Sequence, residues 1–164
     1  MEPATSSLLA TEVVGSRWIK GEFCPGTRIQ TSGSKHNPFS NPCDHLMWVA
    51  GHLVVHRGAV LKSLGAEWET SWSSLFTRGA KLAARDQYPA VDEIRSAWDE
   101  VSAKLVGSFT EATADLLAKP APKGPPSFDG KISGLVAFLA FHETYHVGQV
   151  SYLRKWLGYG QSVG

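Results

Sequence analysis

The residues of this chain best suited to chemistry are two histidines in Phe141-His142-Glu143-Thr144-Tyr145-His146-Val147-Gly148-Gln149. On a helix, residues four apart share a face one turn apart, so His142 and His146 project the same way. Two ring nitrogens so placed can reach a single metal ion at about 2 Å. Apolar Phe138, Leu139 and Phe141 precede or join the segment, and Val150 and Leu153 follow it. Such a helix is largely buried, with His142, His146 and Gln149 forming a polar stripe along it. Buried polar groups need partners, and a shared ion satisfies two imidazoles at once. Gln149, three residues beyond His146, is placed to hydrogen-bond to a ligand histidine.

Written formally, the same segment is H-E-x-x-H, the zinc-protease motif, with Glu143 in the general-base position. The rest of that pattern is missing. Gln149 and Tyr152 stand where one protease class carries Gly and His, and no Asp, Glu or His occurs from Val147 to Gly164. The third ligand is therefore expected upstream. Glu143 points about 100° around the helix from His142 and is given no catalytic role.

Upstream, His45, His52 and His56 fall on one stripe of another helix. His45 and His52 are about 10 Å apart along the axis, too far to share an ion within one helix. His52 or His56 could each complete a three-histidine site. In Trp48-Val49-Ala50-Gly51-His52, Gly51 admits a close approach, and His52 lies nearer the middle of the helix. His56 leads into Arg57 at its more polar end.

The elements that must position these residues read as helices, because apolar residues recur at helical spacing through most of the chain. A first helix is expected over roughly residues 5–21, ending before Cys24-Pro25-Gly26. The segment from Thr31 to Pro42, rich in Gly, Ser, Asn and Pro, reads as a loop. Asn41, Pro42 and Asp44 make a good start for a second helix that ends near Gly65. A third begins near Ala90–Val91, with Asp92 and Glu93 at its positive end, and runs to about Thr113. Pro120 to Pro126 breaks the chain. Ser133 can cap a fourth helix that continues to Leu157 and stops at Gly158. The connection from Gly65 to Pro89, with Trp68 and Trp72, is long enough for a short helix or a crossover. Four helices in a single domain spanning residues 1–164 predict an all-α four-helix bundle.

Composition narrows the classes of function. Sixteen Lys+Arg face 15 Asp+Glu with no long block of either sign, which argues against nucleic-acid and membrane-surface partners. The longest apolar run, Leu135 to Phe141, is too short to span a bilayer. The opening Met1-Glu2-Pro3-Ala4-Thr5 lacks the features of a signal peptide. Cys24 and Cys43 have neither metal-type nor redox-type spacing. A cytoplasmic protein with reduced thiols is expected.

Together, Trp48-Val49-Ala50-Gly51-His52-Leu53 and His142-Glu143-Thr144-Tyr145-His146-Val147-Gly148-Gln149 resemble the DinB superfamily, the DinB/YfiT-like metalloenzymes. Asn37-Pro38 and Asn41-Pro42 ahead of the first segment fit too, as do the order and length of the helices. The resemblance is weak over residues 1–35 and 65–90. It implies an antiparallel four-helix bundle with a long crossover and a metal held by His52, His142 and His146. His45 and His56 do not match ligand positions; they are expected to be partly exposed or to support the ligands. Zinc and nickel are the metals the resemblance favours, and homodimers are frequent in the family.

Three neutral imidazoles leave a divalent ion its full charge and an open position, where bound water titrates near about 7 or a thiol is held as thiolate. The expected function is a metal-dependent transferase or hydrolase acting on a small molecule. Its co-reactant is metal-activated water or a low-molecular-weight thiol, such as the bacillithiol, mycothiol or glutathione used by members of the superfamily. The alternative is a metal-stabilised binding module without turnover. A DNA-damage role, suggested only by the family's name, is opposed by the balanced charge.

Overall fold

Proline at a first helical position sacrifices no hydrogen bond, and Pro42 opens the first described helix, α1 (Pro42–Ser63). The computed structural model describes residues 42–77, 79–81, 83–156 and 158–159. The helix expected over residues 5–21, the loop after it and Cys24 lie outside these. After α1 come α2 (Val91–Glu111), a single turn α3 (Ala114–Leu117) and α4 (Ile132–Trp156). The described residues contain no strand, only one isolated antiparallel bridge between Pro120 and Lys131.

Two of these helices stop by the same device. Past the end of α1, Gly65 has a φ of 90° and Ala66 N–H reaches back to the Leu61 carbonyl at 3.0 Å. At the end of α4, Gly158 has a φ of 84° and Tyr159 N–H reaches the Arg154 carbonyl at 3.0 Å. Both are left-handed glycine stops that satisfy carbonyls the helix leaves open. α2 starts where Asp92 and Glu93 meet its positive end. The one-turn α3, which the sequence did not announce, is capped by Thr113, whose hydroxyl accepts Leu116 N–H at 3.2 Å.

The start of α4 differs from the sequence expectation. Ser133 lies inside the helix, and the capping role falls to Asp129. Its carboxylate accepts Lys131 N–H at 2.9 Å and the Ser133 hydroxyl at 3.1 Å. The Lys131 amide, then the Ser133 and Ser127 hydroxyls, hold this carboxyl below its ordinary range. A full negative charge satisfies the free amides of a helix start better than a hydroxyl does. The loop folds so tightly onto the first turn that a Cβ on Gly134 would lie 2.7 Å from the Asp129 backbone nitrogen.

The long connection before α2 contains two 3-10 turns, Ser73–Phe76 and Arg85–Gln87. The first packs on α1, and α1 itself packs against both α2 and α4. The core therefore centres on α1. Val54 and Leu61 belong to one buried cluster with Val101 of α2, Leu135 of α4 and Phe76, all fully buried. Among the described residues no helix is long and apolar enough to cross a membrane.

Candidate metal centre

α1 and α4 each present two histidines four residues apart, and the two pairs face one another. The ring centres of His52 and His56 are 4.2 Å apart, and those of His142 and His146 are 4.4 Å apart. Across the interface His52 lies 5.3 Å from His142 and 5.1 Å from His146, while His56 lies 4.3 Å from His142. His52, His56 and His142 each offer a nitrogen within 4.8 Å of the others. The Nε2 atoms of His142 and His146 stand 3.1 Å apart. An ion about 2.05 Å from each would see them at an angle of about 100°, close to tetrahedral. His45 is on α1 as well, but its side chain lies outside the described residues.

Two of the four rings are aimed by hydrogen bonds. His52 Nδ1 lies 2.7 Å from the Phe76 carbonyl. A carbonyl can only accept, so the proton sits on Nδ1 and Nε2 carries a free lone pair. The Trp48 indole stacks on the same ring, 4.7 Å away and 15° from parallel. Gly51 explains how Phe76 comes so close: a Cβ there would approach the Phe76 ring within 2.4 to 2.7 Å. The close approach expected at Gly51 is thus made by the residue that orients the neighbouring His52. On α4, His146 Nδ1–H donates to Gln149 Oε1 at 2.7 Å, and the Gln149 amide donates to the Tyr145 hydroxyl at 3.1 Å. His146 Nε2 is thereby also left as a lone pair. Such outer hydrogen bonds fix the tautomer and direction of a ligating imidazole.

The cluster is held in the form a cation needs. Burial lowers all four histidines below their ordinary value, His56 to about 3 and His142 to about 4. For these two the charges of neighbouring imidazoles push the same way. The Phe76 and Gln149 contacts partly oppose burial at His52 and His146. Neutral imidazole is the state that donates to a metal. Nδ1 of His56 and Nδ1 of His142 are buried with no hydrogen-bond partner among the described residues. Four neutral, inward-gathered imidazoles, two of them with an orphaned nitrogen, could hold a divalent cation.

One residue further along each helix sits a pair of opposite charges. Arg57 Nη2 meets Glu143 Oε1 at 2.5 Å and Arg57 Nε meets Oε2 at 3.2 Å, with Arg57 3% and Glu143 6% exposed. The guanidinium also donates to the Ser102 hydroxyl of α2 and lies 3.7 Å over the Trp98 ring. The Ser102 hydroxyl in turn donates to the Trp98 carbonyl at 2.6 Å. The sequence reading placed Arg57 at the polar end of its helix; instead it is buried at the meeting point of α1, α2 and α4. The available signal was position: Arg57 and Glu143 each follow a histidine of the cluster, so opposite charges had to face one another once the histidines did. Glu143 is committed to this pair. A small cavity between His56, the ion pair and Leu139 has room for about one water molecule.

The nitrogens of His52, His56 and His142 gather within 4.8 Å, a group that holds His56, outside the ligand pattern the resemblance implied, and not His146, which adjoins it through the His142 contact with Gln149 behind it. No curated protein and no solved structure matches the chain. A model of the DinB superfamily matches residues 33–150, a span that includes α1, α2, α3, most of α4 and all four clustered histidines. The chain belongs to the DinB superfamily.

Proposed function

We propose that the protein is a metal-dependent enzyme, a transferase or hydrolase that uses a low-molecular-weight thiol or water against a small-molecule substrate. The ligands are His52, His142 and His146, within an antiparallel four-helix bundle with a long crossover. The observation that carries the reading is the pair of outward hydrogen bonds, His52 to Phe76 and His146 to Gln149, which leave two Nε2 lone pairs beside His142. A divalent ion held there, zinc or nickel, would supply the charge that lowers the pKa of a bound water or thiol. The protein's own contribution is orientation and a dry, rigid setting. Phe76 and Gln149 fix ring directions, Trp48 covers one face of His52, and the Arg57–Glu143 pair holds the two ligand-bearing helices side by side.

A second reading, a closed metal-stabilised module without turnover, is favoured by one observation: a further imidazole, His56, within reach of the same ion. Metal analysis by mass spectrometry on untagged protein, beside His142→Ala, tests what the two readings share. About one ion per chain, lost in the variant, is expected; no ion after reconstitution with several divalent metals would sink both. A panel of thiols and electrophiles on the loaded protein then separates them, since the module shows neither conjugation nor hydrolysis.

A further inference from the structure

We infer that His56 is a fourth histidine ligand, so that the resting centre is a four-imidazole site assembled from two helical pairs. The inference rests on the reading that an ion sits at this cluster. Its own support is separate from the family pattern, which stops at three histidines. The nitrogens of His56, His52 and His142 lie within 4.8 Å of one another. Ligands about 2 Å from one ion sit roughly 3–4 Å apart, so small ring movements bring His56 into bonding range. Its ring touches both neighbours, 4.2 Å from His52 and 4.3 Å from His142. Its Nδ1 is buried without a hydrogen-bond partner among the described residues, an uncommon state for a polar atom. The pairs are also equivalent in spacing, since His52 and His56 stand on α1 as His142 and His146 stand on α4.

The arrangement assigns His56 a definite part in access. A thiol or water reaches the ion either by displacing an imidazole or by raising the coordination number to five. On α1, His52 is anchored to the Phe76 carbonyl, whereas among the described residues His56 Nδ1 has no hydrogen-bond partner. His56 is therefore the α1 ligand that yields.

The test is an imidazole count on the zinc-loaded full chain by X-ray absorption fine structure, with zinc affinity measured by competition against a chromophoric chelator. Four imidazoles are expected in the unaltered protein and three plus a light oxygen ligand in His56→Ala, with affinity about tenfold or more lower in the variant. Three imidazoles and an oxygen in the unaltered protein would overturn the inference while leaving the three-histidine centre standing. Zinc retained by neither protein would remove the centre itself. A count of three on the unaltered chain overturns the inference even if His56→Ala does not fold, and His56→Phe, which keeps a ring but no ligand atom, then tests whether the fourth imidazole is His56.

Discussion

Gly51 and Phe76 form the tightest joint around the histidines. A Cβ at Gly51 would meet Phe76 ring atoms at 2.4, 2.5 and 2.7 Å, and Phe76 is fully buried, so the ring has nowhere to retreat. Gly51→Ala should therefore destabilise the fold by about 1–3 kcal/mol and also weaken metal binding, because the displaced residue carries the carbonyl that aims His52. Thermal unfolding and metal competition check this together; unchanged values for both would show that the joint can relax. The histidines themselves set a dependence on pH in the metal-free protein. Their folded-state values lie below the ordinary 6.5, at about 4 for His142 and about 3 for His56. Above 6.5 both folded and unfolded chains hold them neutral, and their contribution is fully present. As pH falls below 6.5 the unfolded chain takes up protons that the folded cluster refuses, so stability is lost progressively between about 6.5 and 3. The urea midpoint should fall between pH 7 and pH 5, and fall less in His56→Ala. A midpoint flat across that range would mean that the cluster is open to solvent.

At the level of elements, the Arg57–Glu143 pair is what joins α1 to α4, with Ser102 and Trp98 bringing in α2. Arg57→Met would strand the Glu143 carboxylate in the interior at a cost of about 3–5 kcal/mol. Combining it with Glu143→Leu should restore much of the loss, since the interior then holds neither charge. Chemical denaturation of the two variants reads this directly, and a mild effect of the single change would show that water reaches the pair. The same elements show what a sequence can disclose. The glycine stops at Gly65 and Gly158 and the acidic start of α2 were legible because those signals act within one turn of chain. The histidine spacing was legible for the same reason, since four residues on a helix fix a face whatever surrounds it. Ser133 was mistaken for the cap of α4 because Asp129 reaches the helix start only after the loop folds back over Gly134. The burial of Arg57 was hidden because it depends on α2 and α4, which lie far away along the chain. The 3-10 turn that carries Phe76 gave no periodic signal at all, although its carbonyl orients a central histidine.

Across the whole molecule, α1 is the member on which the others converge, with core residues facing both α2 and α4 and the 3-10 turn of Phe76 lying against it. Its contacts with α4 are far apart in sequence: Arg57 and Glu143 are separated by 86 residues. Contacts of that span are slow to form, because a long loop must close before they give anything back. The two histidine pairs change this in one respect. Each belongs to a single helix, so each forms as soon as its own helix does, before the helices meet. An ion bound by one pair at that stage would keep open positions for the opposite pair to fill. Were the ion proposed above present during assembly, the last step would be capture by a waiting ligand site rather than a search between two apolar faces, and coordination would select the register of α1 against α4 before the charges of Arg57 and Glu143 leave water.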